Sequence, residues 1–403
     1  MIPIAKPLMG TEEAEAARRA VLSGWVSQGP QVAAFETEFA ALTGAAHACA
    51  VSNCTTALHL ALMGVGVGPG DEVITVSHSF IAGANAIRQC GATPVFVDIE
   101  PGGYNIDPAR VAEAIGPRTR AILTVHQMGM PCDMPALLQL AAGAGLPVIE
   151  DAACAVGSEI LADDGTRWRI GRPMGDVVCF SFHPRKVITT GEGGMLTTDN
   201  PELDALFRLW RQHGMSVSDT ARHGSAEVIF ESYPVRGYNY RMTDIQAAIG
   251  REQLKRLPGI IARRRALADR YRDTLRGVFG VTAPTEPAWA RSNWQSYPVR
   301  LDPDLDQRRV MQEMLDRGIA TRRGIMNMHQ EPAQADLPLR VALPHSEAAR
   351  DHTVLLPLYA QMTRADQDQV LNGLIKALAR TAGTGHTGHT GNTGHTGHLA
   401  QAE

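Results

Sequence analysis

The sequence predicts an α/β protein with a mainly parallel central sheet in a large domain, followed by a smaller α+β domain. Between about residues 45 and 200, short runs rich in Val, Ile, Thr and Phe alternate with segments that carry apolar residues at helical spacing. Parallel strands need long crossover connections, usually helices, so this alternation indicates a parallel sheet with helices on both faces. Beyond about residue 256 the pattern changes, which predicts the second domain.

The elements of the large domain follow in order along the chain. The predicted strands are bounded by Gly, Pro or Asp and read HACAVS, EVITV, TPVFVD, RAILTV, PVIED, DVVCFSF and GMLTT. The predicted helices between them read CTTALHLALMGVG, SFIAGANAIRQCG, DPARVAEAIG and MPALLQLAAGAG. The run GVGVGPGD, residues 64–71, follows a helix, and Pro69 stands where a dinucleotide-binding loop needs its third glycine. We therefore expect a helix-ending turn there.

A long helix is predicted to join the two domains. It begins with TDIQAAIGREQL and ends with ADRYRDTL, and Pro258 inside it is expected to cause a break or kink. After it, SYPVRLD and the helix-like QRRVMQEMLDRG indicate the smaller α+β domain. We expect a large domain over residues 1–255, a small domain over 256–380 and a tail over 381–403.

The tail is a short low-complexity repeat of Thr-Gly-His triplets. One reading is adventitious metal binding through His386, His389, His395 and His398. We favour a disordered extension without a metal site, because glycine at every third position makes ordering expensive.

The composition is that of an ordinary globular protein and excludes some partners. Apolar residues make up 44% and charged residues 20%, and the formal net charge of -4 offers no basic field for nucleic acid or an anionic membrane. The six cysteines form no C-x-x-C pair, which favours reduced thiols. No apolar run is long enough to span a bilayer and no secretory pattern is present, so we expect a cytoplasmic location.

Chemistry-bearing residues follow several predicted strands, where ligands of parallel α/β sheets bind. Residues 52–57 open a helix whose free N–H groups could cradle a phosphate, Asp151 follows one strand, and Ser181 and Lys186 follow another. Each has an ordinary alternative as a helix cap, a turn cap or a solvated side chain. Together they match the needs of pyridoxal 5'-phosphate (PLP), which are an amine for its aldehyde, an acid for its pyridinium nitrogen and donors for its phosphate.

A longer series of motifs runs in order along the chain up to about residue 375. These motifs read GWVSQGPQVAAFETEFA, VSNCTTALHLAL, GPGDEVITVSHSFIAGANAI, GATPVFVDIEP, VIEDAACAVGS, GDVVCFSFHPRKVITTGEGGM, RQHGM, GYNYRMTDIQAAIGREQL and LLPLY. In this order they resemble the DegT/StrS-like sugar aminotransferases of the fold-type I PLP-dependent superfamily. So many collinear motifs argue against a chance match.

The resemblance implies roles for the residues around the cofactor ring. Lys186 would bond to the cofactor aldehyde and, once released, move the proton between the substrate carbon and the cofactor. Asp151 would bind the pyridinium nitrogen, and Phe80 would stack on the ring, although an aromatic residue there could equally belong to the core. Cys154 stands where the family often has Gln or His against the ring, and its smaller thiol is a weak donor.

The resemblance also implies how the cofactor phosphate is held. Cys54 and Thr55 would offer backbone N–H groups, and Ser181 would offer its hydroxyl. Asn239, in GYNYR, would reach the phosphate from the neighbouring subunit. The family therefore implies a homodimer with two shared active sites, although Asn239 could also be a turn residue.

The reaction implied by the resemblance is amino transfer from glutamate or glutamine, through PLP, to a keto-sugar. The lysine at position 186 argues against the relatives that use histidine there to dehydrate sugars. The form SFHPRK followed by TTGEGG is similar to enzymes that act at C-4 of a nucleotide-linked 4-keto-6-deoxysugar. A cyclitol ketone or another non-nucleotide keto substrate stays open. A non-catalytic PLP-binding regulator also stays open, but it would need a DNA-binding domain, and we see none before residue 45.

Positions that tend to face the donor or the sugar in this family are matched here by Trp25, Ser27, Gln28, His183, Arg185 and His329. A structural role for each is an equal alternative. Arg322 and Arg323 could bind a diphosphate through bidentate hydrogen bonds, although one of two adjacent arginines is expected to be solvated.

Overall fold

A computed structural model describes residues 1–162 and 165–382 of the chain. In these residues the helices are α1 Thr11–Ser23, α2 Pro30–Thr43, α3 Cys54–Gly64, α4 Ala82–Gln89, α5 Pro108–Ala114, α6 Met134–Ala144, α7 Pro201–Trp210, α8 Asp219–His223, α9 Asp244–Leu275, α10 Gln307–Asp316, α11 Pro344–His352 and α12 Arg364–Ala382. The strands are β1 His47–Val51, β2 Glu72–Val76, β3 Thr93–Val97, β4 Thr119–Val125, β5 Val148–Asp151, β6 Glu159–Leu161, β7 Arg167–Arg169, β8 Val177–Ser181, β9 Gly194–Thr198, β10 Val281–Thr282, β11 Ala290–Arg291, β12 Tyr297–Leu301, β13 Arg322–Arg323 and β14 Thr353–Leu356.

The largest sheet of the described residues contains all the strands predicted for the large domain. Its strand order is β1-β9-β8-β5-β4-β2-β3. The pairs β2–β3, β2–β4, β4–β5 and β5–β8 are parallel, and only the β9 pairs are antiparallel. The predicted α/β fold with a mainly parallel central sheet is thus confirmed.

Helices cover both faces of this sheet because its strands are apolar on both sides. Side chains alternate between the faces along β1, as the strand pleat requires. Ala50 packs in a cluster with Phe35 and Phe39 of α2, whereas Val51 packs with Leu58 of α3 on the other side. All five residues are almost completely buried.

The long helix α9 runs through Pro258 without the expected break. A proline removes the hydrogen bond to the carbonyl four residues earlier, which favours a break. Here Pro258 lies on the exposed side, while Leu257 and Ile261 pack in the core cluster of the large sheet. Tertiary packing on the buried side therefore holds the helix together.

A second sheet, with strand order β10-β12-β14-β13, forms the centre of the C-terminal part. Its apolar cluster includes Tyr271 from the last turns of α9 and Ile2 from the other end of the chain. Ile2 also forms a parallel bridge with Ile319. Because α9 packs against both sheets, the division of the chain at residue 255 stays a prediction.

Smaller features complete the fold. The strands β11, β6 and β7 form a third sheet that the sequence analysis did not predict. The run GVGVGPGD ends α3 in a turn with Gly66 and Gly70 at positive φ, as expected. No helix of the described residues is both long and apolar enough to cross a membrane. The histidines of the predicted tail lie outside the described residues.

Candidate active site

The carboxyl ends of neighbouring strands gather the predicted cofactor residues at one edge of the large sheet. The parallel strands β5 and β8 are neighbours and end at Asp151 and Ser181. In β9, Gly194 pairs with Ser181 on one side and with Val51, the last residue of β1, on the other. Because α3 begins at Cys54 directly after β1, its N-terminus lies at the same edge.

Asp151 is a buried carboxylate, with 8% of the residue exposed. Its Oδ1 accepts the amide hydrogen of Ala153 at 2.9 Å and lies 4.0 Å from Cys54 Sγ. Burial raises the pKa of Asp151, although the Ala153 amide and the Lys186 ammonium oppose the rise. Within the described residues no hydrogen bond ends on Oδ2, so this oxygen can pair with a cationic ring nitrogen.

The preceding carboxylate, Glu150, points to the opposite face of β5 and is fully engaged. Its Oε1 accepts the amide hydrogens of Met174 at 3.0 Å and Gly175 at 2.8 Å. Its Oε2 lies 3.0 Å from His126 Nε2. The amide of Cys132 donates to His126 Nδ1, which leaves the ring proton on Nε2 to donate to Glu150. Glu150 is therefore a structural residue.

The start of α3 supplies amide donors for an anion. Asn53 caps the helix with its side chain, and no described group accepts a hydrogen bond from the amides of Cys54 or Thr55. A side chain at Gly194 would bring its Cβ to 2.5 Å from the Asn53 carbonyl carbon, so only glycine allows this approach. The close approach sets Ser181, opposite Gly194, near the helix N-terminus.

Lys186 lies in a turn after β8, where its amide donates to the His183 carbonyl at 2.8 Å. Its Nζ donates to Cys154 Sγ at 3.2 Å. Burial lowers the pKa of Lys186, but Cys154 and Asp151 more than offset burial and the pKa is raised. The structure therefore brings Lys186, Cys154 and Asp151 together beside the N-terminus of α3.

A buried loop of residues 292–296 also reaches this site, and the sequence analysis missed it. Asn293 Nδ2 donates to the Cys154 carbonyl at 2.9 Å, and Gln295 Nε2 donates to the Arg185 carbonyl at 2.8 Å. The two side-chain amides thereby hold the backbone at Cys154 and at Arg185, the residue before Lys186. The polar run SNWQS is typical of a surface turn, so the sequence holds little signal of its burial.

The loop is held in place by Arg264, a buried residue of α9. Its guanidinium donates to the carbonyl oxygens of Trp294 at 2.9 Å and Gln295 at 2.5 Å. Burial lowers the pKa of Arg264 to about 10. Trp294 has a φ of 50°, a left-handed conformation that is uncommon for a bulky residue, so the arginine contacts stabilise a strained turn.

His329 lies at the carboxyl end of β2, but its ring is already engaged. Its Nδ1 lies 2.6 Å from Ser77 Oγ and its Nε2 lies 3.3 Å from Glu347 Oε1. Nε2 donates to the carboxylate, so Nδ1 accepts the Ser77 hydroxyl hydrogen. A direct contact of His329 with a substrate would require Glu347 to release Nε2.

Other predicted residues are exposed or half-buried. Phe80, four residues beyond the end of β2, is 61% exposed. Trp25 makes an edge-on ring contact with His223, with ring centroids 5.5 Å apart. Asn239 is exposed, and its backbone bridges to Gln212 of the same chain. The structure of one chain therefore does not bring Phe80, Trp25 or Asn239 into a described contact with Lys186.

Three further residues predicted to face the donor or the sugar differ in their hydrogen bonding. The carbonyl of Ser27 accepts the Asp244 amide hydrogen at 2.8 Å. Gln28 has a buried Oε1 without a hydrogen-bond partner in the described residues. His183 Nδ1 accepts the amide hydrogen of Arg185 at 3.2 Å, which shapes the turn before Lys186.

Arg185 and Arg322 form a pair of like charges at the mouth of the site. Burial and then Arg322 lower the pKa of Arg185. Among the described residues no carboxylate forms an ion pair with either guanidinium, whereas Arg323 lies 3.7 Å from Glu331. After β13, Asn327 bridges to His78, two residues beyond the end of β2, which keeps Arg322 at the same edge of the large sheet.

Comparison with known proteins identifies the class of protein that carries this site. The model of the DegT/DnrJ/EryC1/StrS aminotransferase family matches residues 7–375. The chain belongs to this family. It is a PLP-dependent aminotransferase of fold type I, and the resemblance inferred from the sequence motifs is confirmed.

Named relatives share most of the chain. The spore coat polysaccharide biosynthesis protein SpsC of Bacillus subtilis is 39% identical over 93% of this chain and 96% of its own. The GDP-perosamine synthase of Caulobacter vibrioides is 39% identical over 94% of this chain and 98% of its own. The solved aminotransferase TlmJ of Streptoalloteichus hindustanus is 36% identical over 95% of this chain and 100% of its own, with a TM-score of 0.86.

The residues of the site fit PLP. Two solved structures of the protein Spr1654 of Streptococcus pneumoniae, 25% and 26% identical to this chain with TM-scores of 0.87 and 0.85, are a PMP-form and a PLP-form. Here the buried Asp151 has a free oxygen, the first amides of α3 have no partner in the described chain, and Lys186 has a side-chain amine aimed into the same space. The described residues hold no group of three or more His, Cys, Asp or Glu that could hold a metal ion.

Proposed function

We propose that this aminotransferase moves an amino group from glutamate or glutamine to the C-4 ketone of a nucleotide-linked 4-keto-6-deoxysugar. The observation that carries the proposal is the meeting of Lys186 and Asp151 with the guanidiniums of Arg185 and Arg322 at one edge of the sheet. The relative of Caulobacter is named for a GDP-linked product, which supports a nucleotide-linked substrate.

Each part of the site has a proposed task toward the cofactor. When bound, PLP supplies an aldehyde that accepts the amino group and a ring that withdraws electrons from the reacting carbon. Asp151 would pair with the ring nitrogen through its free oxygen, a charge-assisted bond worth about 1.5 to 3 kcal/mol. The amides of Cys54 and Thr55 and the hydroxyl of Ser181 would donate to the phosphate.

Lys186 is the residue proposed to bond to the cofactor and to carry a proton at the substrate carbon. Its side chain ends beside Cys154 and interacts electrostatically with Asp151. To accept a proton, Lys186 must be a neutral amine, and burial favours that form. To donate a proton, it must be an ammonium, and Cys154 and Asp151 favour that form. These opposing influences suit a group that takes up and returns one proton.

The two unpaired guanidiniums support an anionic substrate. Arg185 and Arg322 repel each other, and a diphosphate between them would remove that repulsion while accepting bidentate hydrogen bonds. A neutral cyclitol ketone offers no such group. The nucleotide-linked substrate is therefore favoured over the cyclitol, which is the alternative within the same enzyme class.

We also propose that the enzyme works as a homodimer in the cytoplasm. The segment of residues 226–235, called the apolar arm below, exposes 85% of Val228 and 90% of Phe230. Monomeric proteins rarely expose contiguous apolar side chains, which mark an interaction surface. Asn239 follows the arm in the chain, so an arm that crosses to a second copy would carry Asn239 toward that copy's site. The six cysteines are all free, which suits a reducing compartment.

The two half-reactions test this function separately. The visible absorption of PLP-loaded enzyme should bleach on addition of glutamate or glutamine, and Lys186→Ala should not show this change. After the donor has been removed, a nucleotide-linked 4-keto-6-deoxysugar should restore the visible absorption of the PLP form. It should do so faster than the free keto-sugar or a cyclitol ketone. Arg185→Gln should slow only the reaction with the nucleotide-linked ketone, on the order of tenfold or more for a lost charged hydrogen bond.

A matched control is Arg323→Gln, because Arg323 already lies near Glu331. This variant should keep both half-reactions close to the parent rate. Equal rates with the free and the nucleotide-linked ketone would contradict the nucleotide specificity and leave the aminotransferase class intact. A bound cofactor that responds to no amino donor would favour the non-catalytic regulator.

A further inference from the structure

The contact between Cys154 and Lys186 joins two reactive side chains. The two heavy atoms, Nζ and Sγ, are 3.2 Å apart. Neither residue is fully buried in the described chain. The Cys154 carbonyl accepts a hydrogen bond from Asn293, so the turn that carries the thiol is fixed against the lysine.

The other cysteines lack this combination of access and a neighbouring amine. Burial raises the pKa of Cys49 to about 12 and raises those of Cys54 and Cys179, so these three remain protonated thiols. Burial also raises the pKa of Cys90 to about 11, and its Sγ lies 4.0 Å from the His59 carbonyl oxygen. Cys132 is completely buried. Cys154 alone among the six is partly exposed and in hydrogen-bond contact with a lysine amine.

We propose that Cys154 and Lys186 form an oxidation-sensitive pair, which a peroxide converts into a covalent sulfur–nitrogen link when no cofactor occupies the lysine. The link would consume the amine that bonds to PLP and so would block the enzyme. It would form on the cofactor-free chain or on the aminated enzyme, in which Lys186 is free. The proposal depends on the PLP-dependent class and not on the keto substrate.

The chemistry balances in two steps. The sulfur attacks one oxygen of hydrogen peroxide, the O–O bond breaks, and R–SH + H₂O₂ gives R–SOH + H₂O, a two-electron oxidation of sulfur. The lysine nitrogen then attacks the sulfur of the sulfenic acid, the S–O bond breaks, and the hydroxyl group leaves as water with a proton from nitrogen. The same condensation is known for sulfenic acids with backbone nitrogen. The chain loses two hydrogen atoms overall.

The surroundings of Lys186 also favour the second step in part. Attack on the sulfenic acid requires the neutral amine, and burial of Lys186 favours that form. The 3.2 Å contact places this amine next to the sulfur that peroxide oxidises.

The experiment is to treat the full-length protein, with and without bound PLP, with hydrogen peroxide and to measure intact mass and tryptic peptides. We expect the cofactor-free chain to lose the mass of two hydrogen atoms and to yield one cross-linked species that joins the Cys154 and Lys186 peptides. Trypsin should no longer cleave after Lys186. Dithiothreitol should restore both the mass and PLP binding, and bound PLP should prevent the change.

Variants separate this link from other oxidation products. Cys90→Ser removes the other partly exposed cysteine and should leave the cross-link unchanged. Cys154→Ser should abolish it. Lys186→Arg should also abolish it and leave a sulfenic acid at Cys154 that dimedone labels. A disulfide between Cys54 and Cys154 has the same mass loss, so a map that joins those two peptides would overturn the proposal. So would direct oxidation of Cys154 to sulfinic acid in the parent without a link.

Discussion

At the scale of single residues, the buried carboxyl of Asp151, the proposed partner of the cofactor ring, comes at a cost in stability. Burial raises its pKa, which means that the ionised form is less favourable in the folded chain than in the unfolded one. Such a carboxyl stabilises the fold only at low pH, below its ordinary value of 3.8, and that stabilisation is lost as the pH rises through the folded pKa. The proposed contact with PLP uses the ionised form, which is the form that burial disfavours.

Asp151→Asn should therefore have opposite effects on stability and on cofactor affinity. Without cofactor, we expect the variant to be more stable than the parent at pH 8, and we expect this difference to shrink as the pH falls toward 3.8. Urea unfolding at several pH values measures the difference. The variant should bind PLP more weakly, by roughly 10-fold or more for one charged hydrogen bond.

The matched control for that series is Asp304→Asn, which neutralises an exposed carboxylate in the same chemical way. Its unfolding free energy should follow that of the parent at every pH. A cofactor-free Asp151→Asn chain that is less stable than the parent at pH 8 would show that the attraction of Lys186 outweighs the burial of the carboxylate.

At the scale of elements, the features that could be predicted are those that leave a local pattern in the sequence, which are apolar periodicity and the ends of strands. The seven strands of the large sheet and the helices after them appear where apolar runs and turn residues placed them. Lys186, Asp151 and the start of α3 could be singled out because a strand end is a position that sequence shows. Asn293 and Gln295 could not, since their contacts cross more than 100 residues and depend on how α9 places Arg264 against the loop.

Asn293→Ala tests whether that loop supports the site. The change removes the Nδ2 group that donates to the carbonyl oxygens of Cys154 and Val156. It also removes the Oδ1 that accepts the Gln295 amide hydrogen at 2.8 Å. Three lost hydrogen bonds should cost about 1.5 to 4.5 kcal/mol of unfolding free energy. PLP affinity should fall as well, because the turn that carries the thiol beside Lys186 loses its anchor. Calorimetry and a cofactor titration give the two readouts.

Gln312→Ala is the control for that variant, because within the described residues the Gln312 side chain hydrogen-bonds only to Asp316, one turn later. It should change the unfolding free energy by less than about 0.5 kcal/mol. If Asn293→Ala lost stability but bound PLP with the parent's affinity, the loop would be a purely structural element.

At the scale of the whole molecule, a single chain exposes the apolar arm and lacks one of the predicted phosphate contacts. The apolar arm exposes Val228, Phe230 and 59% of Tyr233, side chains that a folded monomer would bury. At the sheet edge where Asp151 and Lys186 lie, α3 offers amide donors, but Asn239 makes no described contact there. Asn239 is exposed on its own chain. A second copy that receives the arm would account for both features, since Asn239 lies only four residues beyond the arm.

Mixed dimers test this arrangement most sharply. Lys186→Ala chains should be inactive, and Asn239→Ala chains should be weakly active at limiting PLP because a phosphate donor is lost. If the sites are shared, a dimer of one chain of each kind contains one site with its own Lys186 and the partner's Asn239, so co-expression should restore activity. If Asn239 serves its own chain, every site in the mixture lacks one group and activity should stay low. Replacing Phe230 with Ser should weaken the dimer and abolish the restoration. Phe279 lies outside the arm and is 81% exposed, against 90% for Phe230, so Phe279→Ser should leave the restoration intact.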